Sequence, residues 1–278
     1  MIHPGKFNRL SVVKLVNFGV FLDGGEAGNI LLPKRYVPAN TELNDVLDVF
    51  LYYDSEDQLI ATTEKPKVEL GQCAWLKVTD VNNTGAFLDW GLPKDLLVPY
   101  AEQHTPMQVG KSYVVYVYRD SASRRLVASS RLNRHLSEQS HYFKPQQPVD
   151  LLICGHSDMG YKAVINHTHL GLIFRDDAFK PLRYGAKLKG YIKSIRDDQK
   201  INVSLQLPAA AQRQELTEQI VAHLKANGGK SRLTDKSAPD DIYHQYNVSK
   251  ANYKKALGKL YKEKRINLGK DEITLLES

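Results

Sequence analysis

From residue 6 to residue 205, apolar and polar positions alternate in short runs separated by Gly, Asn, Asp and Ser, a period of two that predicts strands joined by tight turns. The runs also repeat. A strand over 6–16 leads into Asn17-Phe18-Gly19-Val20-Phe21-Leu22-Asp23. Strands over 72–81 and 149–155 lead into Asn83-Thr84-Gly85-Ala86-Phe87-Leu88-Asp89 and, more loosely, Asp158-Met159-Gly160-Tyr161-Lys162-Ala163-Val164. A second apolar run follows each: Ile30-Leu31-Leu32-Pro33, Leu96-Leu97-Val98-Pro99 and Leu170-Gly171-Leu172-Ile173. At one constant interval beyond the three glycines stand Asn44, Gly110 and Gly185, opening strands over 46–53, 113–119 and 188–195. Polar turns at 54–57, 120–123 and 196–199 then reverse the chain into strands over 59–63, 126–130 and 201–205.

Five short strands per unit, with turns at regular spacing and no long helix, predict a small closed Greek-key barrel of the OB type, three times in tandem. After Pro208 the period lengthens. Residues 209–226 read as a helix with Leu216, Ile220 and Leu224 on one stripe, ended by Asn227-Gly228-Gly229. Ser237-Ala238-Pro239-Asp240-Asp241 opens a second helix to about Tyr246, with Ser237 placed to cap it. A third helix follows Asn247-Val248-Ser249 and runs to about Glu263, and 265–276 reads as two strands around Leu268-Gly269-Lys270-Asp271. Three helices and a β-wing are the order of a winged helix-turn-helix. The fold class is therefore mainly β with a C-terminal α+β domain.

Composition narrows the partners. The 278 residues exceed what one small core serves, no apolar run is long enough to span a bilayer, and no membrane partner is expected. Met1 to Leu10 holds Lys6 and Arg9 without an apolar stretch behind them, which argues against a secretory signal and for a cytoplasmic protein. Cys73 and Cys154 lie far apart in strand-like runs and suggest neither a disulfide framework nor a metal cluster. The net charge of +7 favours a polyanionic partner. In the third helix Tyr253, Ala256, Leu257 and Leu260 form the core stripe, while Lys255, Lys259 and Lys262 project from roughly the opposite side. Glu263 is the only acid between Lys250 and Arg265.

The Gly-x-Phe strand, the Leu-Leu-Val-Pro strand and the hairpin ending in Val127-Ala128-Ser129-Ser130-Arg131 resemble the S1 RNA-binding domain, the second repeat most closely. Three such units before a winged helix resemble the bacterial CvfB family, also called the YitL type or conserved virulence factor B family. Leu233-Thr234-Asp235-Lys236-Ser237-Ala238-Pro239, Ser249-Lys250 and Lys255-Ala256-Leu257-Gly258-Lys259-Leu260-Tyr261-Lys262 look like that family's winged-helix signature. The expected domains are S1-like barrels over 1–65, 66–133 and 145–207, a helical linker over 134–144, and a winged helix over 208–278. The resemblance implies RNA binding and a role in controlling gene expression.

Single-stranded RNA is held by stacking bases on aromatic rings while cations follow the backbone. Phe18 or Phe21, and Phe87, sit where S1 domains place stacking rings, with Phe21 open to the alternative of core packing and with Tyr161 and Lys162 in the matching stretch of the third copy. Lys34, Arg35, Lys77 and Arg175 are candidate phosphate contacts, and Lys250, Lys254, Lys255, Lys259, Lys262 and Lys264 supply the winged helix. His167 and His169, at alternate positions with no cysteine or carboxylate pattern beside them, are expected to be solvated rather than metal ligands. Asp54, Glu56 and Asp57 are expected at a hairpin tip. With no phosphate-binding loop and no nucleophile elbow, neither an enzyme nor a cofactor or metal is expected. Single-stranded RNA is the favoured partner and a monomer the favoured state. The alternatives are a transcription factor reading DNA through the winged helix, and a ribosome- or RNA-polymerase-associated module.

Overall fold

The computed structural model describes residues 2–178, 181–207, 209–246, 248, 250–269 and 271–276, with the side chains of 176 and 209–215 excepted. It divides into two units, Met1–Leu205 and Gln206–Ser278.

The first unit holds three five-stranded sheets of the same design. The first consists of β1 (Phe7–Val16), β2 (Gly19–Asp23), β3 (Asn29–Pro33), β4 (Val46–Tyr53) and β5 (Leu59–Thr62), closed in the order β1-β2-β3-β5-β4. The second runs β6 (Cys73–Asn82), β7 (Gly85–Asp89), β8 (Leu96–Pro99), β9 (Ser112–Arg119) and β10 (Leu126–Ser129), ordered β10-β9-β6-β7-β8. The third, β11 (Pro148–Ser157), β12 (Gly160–Ile165), β13 (His169–Phe174), β14 (Lys187–Ile195) and β15 (Ile201–Ser204), closes as the first does. Closure comes from a parallel pairing, β3 with β5 and β13 with β15. In the second sheet β8 and β10 lie side by side without a ladder among the described residues, leaving a seam where the others are sealed.

Alternation fills each interior: Val12, Val20, Leu22, Leu32 and Leu51 point inward in the first barrel, and Leu76, Val78, Leu88 and Val98 in the second. The repeat glycines are fixed by close approach. A methyl group on Gly19, Gly85 or Gly160 would lie 2.2, 2.3 or 2.1 Å from the carbonyl oxygen of Leu32, Val98 or Ile173 on the next strand. Each opening strand also carries a β-bulge at the same place, between Val12 and Lys14, Val78 and Asp80, and Ile153 and Gly155. A bulge adds one residue and re-aims its neighbours. Here it sets Lys14 opposite Phe21, Asp80 opposite Phe87, and Gly155 opposite Lys162.

Successive barrels share apolar surface. Phe50 and Tyr52 face away from the first barrel's interior and pack on Trp90 of the second, with ring centroids 5.8 and 6.5 Å apart. The acidic hairpin tip takes part: Lys94 donates to the Asp54 carbonyl and pairs with Asp57 at 3.2 Å, and Arg125 pairs with the other Asp57 oxygen. Between the second and third barrels Cys73, Val114, Leu132, Leu136, Leu152 and Val164 form a cluster, and the rings of Trp75 and Tyr184 meet at 4.7 Å.

The expected helix over 134–144 does not form. A 3-10 turn, Leu132–Arg134, is followed by extended chain with isolated bridges from Ser137 to His169 and Gln139 to Lys200. Ser137 and Ser140 explain it: Ser137 Oγ accepts from the Gln139 N–H, and Ser140 Oγ accepts from the N–H groups of Tyr142 and Phe143. Such local bonds compete with helix formation. Phe143 then inserts into the third barrel's core.

The second unit runs α1 (Ala209–Ala226), β16 (Lys230–Ser231), α2 (Pro239–Tyr246), α3 (Lys250–Lys262), β17 (Ile266–Leu268) and β18 (Ile273–Leu275), with the sheet ordered β16-β18-β17. Leu216, Ile220, Leu224, Ile242, Tyr253, Leu257 and Leu260 pack beneath it. Two details differ from expectation. The sheet gains β16 as a third strand, too short for its pattern to show in the sequence. Ser237 does not cap α2; its Oγ accepts from the Thr234 N–H, and the Ala238 carbonyl receives the first helical bond, from Ile242. Among the described residues no helix is long and apolar enough to cross a membrane.

Candidate nucleic-acid interface

The outer surface around β2 of the first barrel carries most of its candidate residues. Phe21 lies between inward-facing Val20 and Leu22, so it points outward, half-buried, with Lys14 opposite it on β1 and Leu31 opposite it on β3. Phe18, at the turn before Gly19, is 60% exposed and stands edge-on to Phe21 at 6.2 Å. The main-chain N–H of Lys34 donates to the Phe18 carbonyl at 2.8 Å, which brings the exposed Lys34 to the same corner. Arg35 folds over the Tyr36 ring at 4.6 Å. One exposed and one half-buried ring beside three cations can stack bases and neutralise phosphates.

In the second barrel Phe87 takes the place of Phe21, with Asp80 on β6 and Leu97 on β8 opposite it. The ring lines a cleft of about 580 Å3 that opens along the seam at Leu96, Leu97, Leu126 and Val127. Its far wall is the hairpin of the first barrel, Tyr52, Tyr53 and Ser55. Lys77 is exposed on β6 opposite Asp89, away from the row of Phe87. Bonding from Lys67 chiefly, helped by Lys77, holds the Asp89 carboxyl below the usual range. Tyr100 occupies the corner held by Lys34 in the first barrel; it is half-exposed and donates to the Asn82 carbonyl at 2.6 Å.

The third barrel keeps the frame and changes the side chains. Lys162 stands in the central position, exposed, beside Gly155 and Leu172. Tyr161 belongs to the other face: it packs partly against the interior and meets the His156 ring at 4.7 Å. Arg175 is exposed at the corner equivalent to Lys34, its N–H donating to the Met159 carbonyl at 3.2 Å. Lys162, Arg196 and Lys200 line a smaller hollow of about 210 Å3 with Met159 and Asn202.

On α3 the predicted core stripe is buried and the lysines divide. Lys255 and Lys262 lie on the outward side and make no ion pair among the described residues. Lys254 pairs with Asp235 at 3.5 Å, Lys259 with Glu263 at 3.8 Å, and Lys250 donates to the Lys236 carbonyl at 3.2 Å. Lys264 is exposed in the turn after the helix.

The histidines are not solvated, contrary to expectation. His169 is 7% exposed among Tyr142, Phe143 and Thr168, and His167 is half-buried in the turn before β13, where Nδ1 accepts the Cys73 N–H. The third barrel's contact with the second encloses His167, something no local pattern reveals. Among the described residues no group of three or more His, Cys, Asp or Glu could hold a metal.

Lys14, Asp80, Tyr53 and Tyr100 join these surfaces without being predicted from the sequence. Strand alternation hides the first two, because the bulge shifts their phase. Tyr53 joins the cleft only through the packing of two barrels. Tyr100 had a signal, since it follows Pro99 as Lys34 follows Pro33.

Tandem S1-type barrels ending in a winged helix define a class of protein assembled from nucleic-acid-binding domains. The S1 domain family matches residues 4–64 and 70–130, and the CvfB-like winged helix domain matches 218–275. Bacillus subtilis (strain 168) protein YitL is 28% identical over 287 aligned residues, covering 95% of this chain and 91% of its own. Conserved virulence factor B of Staphylococcus aureus (strain N315) is 27% identical over 289, covering 98% and 93%. A crystal structure of a multidomain protein with nucleic acid binding domains from Streptococcus pneumoniae TIGR4 aligns over 98% of both chains at 23% identity, with a TM-score of 0.42. The first two barrels of this chain are thus S1 domains and its C-terminal domain a CvfB-like winged helix, and over nearly its whole length the chain is similar to the YitL and conserved virulence factor B proteins.

Proposed function

We propose that this protein binds single-stranded RNA on the outer faces of its barrels, with the winged helix adding contacts, and that it regulates gene expression after transcription. The observation that carries the reading is the shared placement of Phe21 and Phe87. Both rings point outward at the centre of a sheet, in a chain built from nucleic-acid-binding domains. A ring there stacks an unpaired base, which a duplex cannot offer. The domains are binding modules, and the protein acts without catalysis of its own. The division proposed is one barrel over 1–65, one over 66–133, one over 145–207 and a winged helix over 208–278, which the three five-stranded sheets support. The linker over 134–144 contributes Phe143 to the third barrel.

A second reading, in which α3 binds duplex DNA, draws on the outward pair Lys255 and Lys262. Competition separates the two. Labelled single-stranded RNA bound to the full chain should be displaced by unlabelled RNA at far lower concentration than by duplex DNA; the reverse order favours the winged-helix reading.

A further inference from the structure

The three bulges put a different residue opposite the central one of each face: Lys14 opposite Phe21, Asp80 opposite Phe87, and Gly155, with no side chain, opposite Lys162. Directly opposed positions on neighbouring strands have Cβ atoms about 4.5 to 5.5 Å apart. A base stacked on the ring therefore presents its edge to that side chain, an ammonium in the first barrel and a carboxylate in the second.

The other charges of the second barrel's cleft are engaged. Lys94 and Arg125 are held by Asp57, and Asp95 Oδ2 accepts from Thr79 Oγ1 at 2.7 Å. Asp80 is exposed and makes no hydrogen bond or ion pair among the described residues. It is the open acceptor in a cleft of about 580 Å3, a size that suits one nucleoside. A carboxylate only accepts, so it pairs with an exocyclic amino group, as on cytosine N4, and repels the carbonyl that uracil places there. An ammonium only donates and reverses the choice.

We propose that Asp80 makes the second barrel select cytosine or adenine over uracil, and that Lys14 gives the first barrel the opposite preference. The proposal rests on the RNA-binding reading and adds base selectivity to it.

Its test is the affinity of the full chain for short labelled homopolymers of C, A and U, in the wild type and in Asp80→Lys, Asp80→Asn and Lys14→Asp. Both positions are exposed, and unfolding curves matching the wild type establish that the variants fold. Asp80→Lys should shift the ratio of the U to the C affinity about tenfold toward U, with Asp80→Asn moving it part of the way and Lys14→Asp in the other direction. A gain of positive charge alone tightens every homopolymer together, so a parallel change or an unmoved ratio overturns the proposal. Wild-type protein that binds none of the homopolymers overturns the RNA-binding reading as well.

Discussion

The main-chain N–H of Cys73 in β6 donates to Nδ1 of His167 across 3.0 Å, a hydrogen bond from the second barrel to the third. The imidazole can accept only while Nδ1 carries no proton. Burial chiefly, and then the charge of Lys187, lower the His167 pKa, with Asp150 opposing; burial lowers His169 as well. The unfolded chain therefore takes up protons at pH values where the folded one resists them. Stability from this pair should be complete above the ordinary imidazole value of about 6.5 and decline as pH falls below it toward the lowered folded values. His167→Ala strands a buried N–H, which costs roughly 1 to 3 kcal/mol near neutral pH, and it should flatten part of the acid dependence. Denaturant unfolding at several pH values measures both effects; equal acid sensitivity in wild type and variant counts against the role given to His167.

Gly85 abuts the Val98 carbonyl so closely that alanine forces β7 and β8 apart. Gly85→Ala should lose about 1 to 3 kcal/mol, in the range of overpacked cores, and Gly19→Ala and Gly160→Ala should behave alike because their distances are nearly the same. Thermal unfolding reads this directly. A Gly85→Ala variant as stable as the wild type would mean that the strand yields without cost.

The outward pair on α3 makes a separate prediction. Lys255→Glu with Lys262→Glu should weaken nucleic-acid binding for all sequences alike and lower the salt slope by about two, since phosphate contacts carry charge and no base information. Neither residue belongs to the buried stripe, so the unfolding curve should not move. An unchanged slope would show that α3 faces away from the bound strand.

Much of this architecture is local and so was legible in the sequence. The constant interval from each repeat glycine to Asn44, Gly110 and Gly185 marks one turn, where all three adopt left-handed φ values of 70°, 83° and 80°. Asparagine tolerates that conformation nearly as glycine does. The Tyr253 to Leu260 stripe likewise follows from helical period alone. What stayed hidden depends on contacts between distant segments. Asp57 reads as a hairpin residue and also clamps Lys94 and Arg125 of the next barrel. Asp80 reads as a polar strand residue until the bulge brings it opposite Phe87. The seam between β8 and β10 leaves no mark on either strand's pattern.

The most direct measurement is the affinity of the full chain for single-stranded RNA after Phe21→Ala and Phe87→Ala, singly and together. Each ring is outward and half-buried, so folding should survive, and each loss should weaken binding by about 1 to 3 kcal/mol, roughly five- to 150-fold, with salt dependence preserved. RNA affinity that is unchanged in the folded double variant would place the binding surface elsewhere and remove the basis for reading these barrel faces as the interface.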